Sequence, residues 1–167
     1  TLFYEYIAVD ETVYIFGGGH IGDALIHHLK GLKFCPVLVD NRIEILEKFT
    51  NKIPAYLDMA TLCSERGLAE KGYFVIATHS HDIDFKILEA ILEAGCDPRY
   101  IGIIASRKKS QLIFEKIRKN PDHAAYIPRI SSPIGLNIGG DNAHEIAVSI
   151  IAEMQAIKYD KKDLAWK

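Results

Sequence analysis

Short, almost wholly apolar runs separated by helical stretches leave this chain very few folds to adopt. Residues 13–16 (VYIF), 35–40 (CPVLVD), 53–57 (IPAYL), 73–78 (YFVIAT) and 100–105 (YIGIIA) have the length of strands. A strand with one wet face alternates polar and apolar residues, whereas continuous apolar runs belong to parallel strands covered on both faces. Residues 20–32, 43–49, 60–70, 83–94, 107–119 and 143–157 read as the helices between and after them. Gly31 and Gly95 mark helix stops, Ser80 or Asp82 supplies an N-cap, and Asn142 with Glu145 forms a capping box. Strand–helix alternation along one chain specifies an α/β fold with a doubly wound, mostly parallel sheet and right-handed crossovers. The expected boundaries are an N-terminal arm or extra edge strand at 1–12, a single domain at 13–157 and a C-terminal tail at 158–167.

The first strand runs into Gly17, Gly18, Gly19, His20, Ile21 and Gly22, which fit G-x-G-x-x-G between a strand and a helix. In a Rossmann-like turn the first glycine makes the bend, the second admits a pyrophosphate and the third lets helix and strand pack closely. The helix N-terminus then offers free N–H groups to phosphate. Asp40 closes the second strand at the distance expected of a ribose-binding carboxylate, which favours NAD-like over NADP-like ligands, while Arg42 blurs that preference. A loop-capping role for Asp40 remains the alternative.

In such sheets ligands bind beyond the carboxyl ends of the strands. Thr78, His79 and His81 of THSHDID therefore belong near the glycine turn, as ligand contacts or as polar residues of a helix cap. One short stretch supplies too few ligands to define a metal site, so no metal and no catalytic group are assigned. Ser106 and Arg107 open the helix that follows the fifth strand. There Arg107, Lys108 and Lys109 oppose the helix dipole, and a bound phosphate would offset that cost.

Bulk properties narrow the rest. A formal net charge of -2 over 167 residues gives no nucleic-acid signature. No apolar run is long enough to cross a bilayer and no signal-peptide pattern opens the sequence, so a cytoplasmic protein is expected. Cys35, Cys63 and Cys96 form no Cys-x-x-Cys pair and are expected as small buried hydrophobes.

Taken in order, YIFGGGHIG, VLVDNR, ATHSHDID, YIGIIASRKK and PIGLNIGGDNAHEIAVSIIAEM resemble the Rossmann domain of XdhC/CoxI-type xanthine dehydrogenase accessory proteins. The likeness covers about residues 14–154. It implies a non-enzymatic maturation factor, usually dimeric, that binds the molybdenum cofactor and delivers it to a xanthine dehydrogenase-type molybdenum hydroxylase. Ala105 and Asn137 stand where that family commonly has glycine and aspartate. From the residues alone an NAD-like dinucleotide fits equally well. Two other functions stay open: an NAD- or ATP-sensing regulatory domain of a transport system, and a small NAD-dependent oxidoreductase.

Overall fold

Tyr73, Phe74, Val75 and Ile76 are all buried, which is possible only where a strand has helices on both faces. The computed structural model describes residues 10–161, and the six strands in that span form one parallel sheet. They are β1 (Glu11–Phe16), β2 (Phe34–Val39), β3 (Ala55–Tyr56), β4 (Tyr73–Ile76), β5 (Tyr100–Ile103) and β6 (Ile130–Ser131). Their order is β3-β2-β1-β4-β5-β6. From β1 the chain winds outward to β3, then crosses back and lays β4 against β1's other side, so the winding reverses between β1 and β4. This is the doubly wound Rossmann-like fold, and the reversal opens the crevice in which such sheets bind ligands.

The helices are α1 (His20–His28), α2 (Ile43–Leu46), α3 (Met59–Glu65), α4 (His81–Glu93), α5 (Arg107–Arg118), α6 (Pro121–Ala124) and α7 (Ala143–Lys158). Alternate residues of β1 feed the two cores, as the two-residue period of a strand requires. Val13 and Ile15 pack with Leu25 and Leu29 of α1 and with Ile150 and Met154 of α7. Tyr14 and Phe16 pack on the opposite face with Leu62 of α3, Leu88 and Ile91 of α4, and Ile117 of α5. Each such aliphatic side chain contributes about 1.5–3 kcal/mol through burial.

Several expectations shift in detail. β1 begins at Glu11, inside the span assigned to the arm, while residues 1–9 of that arm and 162–167 of the tail lie outside the described residues. β6 and the 3-10 turn at Ile127–Arg129 before it had no counterpart in the sequence pattern. Burial holds for none of the cysteines in full: Cys35 and Cys63 are exposed and Cys96 is half-buried. Cys35 sits at the open start of β2, and Cys63 follows the buried Leu62 round the helix into solvent.

The last helix is capped much as its sequence suggests. Asn142 Oδ1 accepts hydrogen bonds from the N–H groups of His144 and Glu145, both at 3.0 Å. Glu145 reaches back one residue further than in a capping box and accepts from Asp141 N–H at 3.0 Å.

Candidate functional site

At the switch point β1 stops at Gly17, whose φ of 108° lies in the region that favours glycine. A Cβ there would stand 2.4 Å from Ala77 O, because β4 runs directly alongside. A Cβ on Gly22 would meet Gly17 O at 2.0 Å, so α1 can cross this close to the turn only with glycine. Gly18 is confined by Ile45, whose Cγ2 would lie 2.4 Å from its Cβ.

Gly19 differs from all three. It is the N-cap of α1, with φ -70° and ψ -164°, which any residue can adopt, and a Cβ built on it meets nothing within 4 Å. No side chain caps α1 here, and the first-turn N–H groups of a helix have no intrahelical partner. Neither backbone conformation nor packing among the described residues calls for glycine at 19. Open space in front of an uncapped helix N-terminus is the form of a phosphate cradle. His20 is exposed beside it, whereas Ile21 packs its side chain toward the α1/α7 core and leaves only its backbone for a ligand.

Asp40 does not stand open for a ribose. Oδ2 accepts from Gly18 N–H and from an Arg42 terminal nitrogen, both at 2.7 Å. Oδ1 accepts from Arg42 N–H and Nε, both at 2.9 Å. Burial pushes this carboxyl up, but the bonds from Arg42 and Gly18 outweigh it and hold it below the usual carboxylate range. The carboxylate thus fixes the glycine turn, and Arg42, still 37% exposed, is the group of the pair presented outward. Behind the turn a hollow of about 330 Å³ is walled by Phe16, Val39, Ile83 and Ile87, with Arg42, Thr78, His79 and Lys86 also lining it.

The two histidines of THSHDID part company. His79 borders the hollow behind the glycine turn, and His81 lines a second hollow of about 420 Å³ between α4 and α5. His81 Nδ1 lies 3.6 Å from Asp84 Oδ2, and its Nε2 contacts Lys109 Nζ. The cap expected from Ser80 or Asp82 is made otherwise: Ser80 occupies the N-cap position without a side-chain cap bond. Instead Thr78 Oγ1 donates to Asp84 Oδ1 at 2.6 Å and accepts from Ser80 N–H at 3.2 Å. Asp84 is buried, and that burial raises its carboxyl above the ordinary value despite the opposing bonds from Thr78 and the nearby histidines.

Ser106 caps α5 by accepting from Lys109 N–H at 3.4 Å, and neither it nor Arg107 lines either of these hollows. The structure therefore brings together Gly17, Asp40, Arg42, Thr78 and His79, and sets His81, Ser106 and Arg107 apart. Among the described residues no group of three or more His, Cys, Asp or Glu could hold a metal ion. No described helix is long and apolar enough to cross a membrane.

One buried group escaped the sequence pattern. Glu153 of α7 is fully buried; its Oε2 accepts from Tyr100 O–H and, at 2.8 Å, from Gly135 N–H. Gly102 makes room for that junction, since a Cβ there would lie 2.3 Å from Ile134 Cδ1 and 2.6 Å from Tyr100 Oη. The YIG and PIGL segments are thus two halves of one packing unit at β5. The signal was present as a carboxylate lying between the core residues Ile150, Ile151 and Met154.

Comparison with known proteins matches residues 13–154 to the XdhC Rossmann domain. The chain is 33% identical over 87 residues to the uncharacterized protein YqeB of Escherichia coli, covering 52% of this chain and 15% of that protein. It is 26% identical over 158 residues to a probable xanthine dehydrogenase subunit of Bacillus subtilis, covering 92% of this chain and 44% of that one. The crystal structure of a xanthine dehydrogenase from Bacillus halodurans superimposes with a TM-score of 0.74 at 28% identity, over 92% of this chain and 44% of that chain. The chain spans less than half the length of each of these relatives.

Proposed function

The chain belongs to the XdhC Rossmann domain family, and from that premise we propose that it is an accessory domain that holds the molybdenum cofactor for a xanthine dehydrogenase-type hydroxylase. The observation that carries this reading is Gly19, where open space meets the uncapped N-terminus of α1. A terminal phosphate, as on a pterin cofactor, suits that cradle, and Thr78, His79 and Arg42, which line the hollow at Gly17, supply polar contacts for the rest. The bound group would supply the oxidation–reduction chemistry of the partner enzyme. The protein's own residues bind and shield it: the N–H groups of α1 receive the phosphate, and Asp40 keeps the turn in shape through Gly18. The same proposal includes a homodimer acting in the cytoplasm.

A dinucleotide such as NAD is the second reading, favoured by the apolar hollow of about 330 Å³ beside the turn, which suits a base. Against it, the carboxylate that would take a ribose is engaged by Arg42 and Gly18. Incubation with freshly released molybdenum cofactor, desalting and mass-spectrometric molybdenum analysis separate the two. Stoichiometric molybdenum retention is expected. No retention, together with saturable NAD binding, would overturn the accessory reading in favour of nucleotide sensing.

A further inference from the structure

The second hollow, between α4 and α5, shares none of its lining with the one behind the glycine turn. Its floor is apolar, made by Phe85, Ile103 and Ile113, and Leu112 stands beside it 52% exposed. Lys109, Lys116 and Lys119 border the same hollow. They belong to a cationic helix: from Arg107 to its C-cap Lys119, α5 carries Arg107, Lys108, Lys109, Lys116, Arg118 and Lys119 against Glu115 alone. This occurs in a chain whose formal net charge is -2. Among the described residues none of these cations pairs with a carboxylate, since the ion pairs there involve Arg42, His81, Arg99 and Arg129.

The six exposed cations fall in two groups. Arg107, Lys108 and Lys109 in the first turn repel one another and oppose the dipole, whereas Lys116, Arg118 and Lys119 crowd the C-terminal end that the dipole favours for cations. No carboxylate among the described residues neutralises them: Lys109 Nζ contacts His81 Nε2, and Lys116 Nζ lies over the Phe85 ring. Three acids line the hollow with the lysines: Asp84 is buried against Thr78, while Asp82 and Glu115 face solvent without an ion-pair partner among the described residues.

The geometry points to this hollow as a docking site for an acidic segment of a partner protein, with one large apolar side chain entering it and flanking carboxylates meeting Lys116 and Lys119. The net positive charge of α5, whose Lys116 and Lys119 stand at the rim, selects an acidic occupant. Single-stranded nucleic acid needs open aromatic faces for its bases, whereas Phe85 is covered by Lys116 Nζ at 4.4 Å from the ring centre. A membrane-binding helix needs a broad apolar face turned outward, whereas here Leu112 is the large exposed hydrophobic of α5 and the rest of the apolar surface is recessed. The biological sense rests on the accessory-domain reading, in which the partner is the hydroxylase that receives the cofactor; the test does not.

The probe is a fluorescently labelled peptide with a central Leu-Phe pair flanked by Glu residues, titrated into the full chain and followed by anisotropy. Its Lys-flanked counterpart, a single-stranded RNA oligomer and anionic phospholipid vesicles serve as competitors. The Glu-flanked peptide should bind saturably and weaken as salt rises. K116E combined with K119E should weaken it by roughly tenfold or more, and Leu112→Ala should weaken it with the salt dependence retained. Because neither lysine lies at the glycine turn, molybdenum retention should be the same in the charge-reversed variant as in the wild type, so failure here and failure of the cofactor reading are read separately. Equal binding of the Glu- and Lys-flanked peptides, indifference to charge reversal, or displacement of the peptide by RNA or vesicles would overturn the proposal.

Discussion

Replacing Glu153 tests whether a single buried carboxylate holds the YIG and PIGL segments together. In the wild type its Oε2 receives Tyr100 O–H and Gly135 N–H, while Oε1 has no partner among the described residues. Alanine would leave two donors unpaired in a dry site, at about 1–3 kcal/mol each, and the cavity adds about 1 kcal/mol or more. A total of roughly 3–7 kcal/mol corresponds to a fall in Tm of about 6–28 °C for a domain of this size. Glutamine should behave differently. Its carbonyl oxygen can accept both bonds and its volume fills the site, but its amide N–H groups stand where Oε1 has no partner, so Glu153→Gln should fall between wild type and the alanine variant. Tyr100→Phe removes one donor and should cost about 1 kcal/mol. Combined with Glu153→Ala it should cost less than the two separately, because the phenol is no longer orphaned. Thermal denaturation followed by far-UV circular dichroism at pH 7 reads all four variants. A glutamine variant as unstable as the alanine variant, or an alanine variant within about 2 °C of wild type, would refute the account.

Two further outcomes follow from the glycine turn. Gly22→Ala drives a Cβ to 2.0 Å from Gly17 O, and overpacking of that kind costs about 1–3 kcal/mol; a Tm unchanged from wild type would show that α1 can move away freely. Acid unfolding carries a signature of Asp40, whose carboxyl lies below its ordinary value in the folded state. Such a group adds stability above its unfolded pKa of about 3.9 and loses it as pH falls through the lower folded value. The Tm gap between wild type and Asp40→Asn should therefore be constant near neutrality and shrink below about pH 4; a gap that widens on acidification would contradict the sign.

How much of this could be read from the residues depends on the kind of interaction. Four of the five apolar runs became strands nearly as written because a four-residue buried strand leaves an unbroken apolar string, as Tyr73–Ile76 does. The run at 53–57 shrank to Ala55–Tyr56, and Ile130–Ser131 went unseen, because two residues at a sheet edge carry no period. Gly17 and Gly22 were legible because steric demands on a turn are local. The partners of Asp40, by contrast, are spread over Gly18 and Arg42, and a spacing rule for ribose binding cannot tell whether that carboxylate is already satisfied. His79 and His81 looked like one cluster in sequence, yet a helix begins between them and sends the second toward Lys109. Glu153 was missed because its partners, Tyr100 and Gly135, are remote in sequence.

Most direct for the central claim is the ligand response of Gly19→Val. Position 19 has an ordinary backbone conformation and open space before it, so the fold should lose no more than about 1 kcal/mol, from the poorer N-cap. The account predicts a Tm close to wild type and loss of the molybdenum that the wild-type protein retains after desalting. Full retention by the equally stable variant would contradict it, since the space in front of α1 would then be open for some reason other than a ligand.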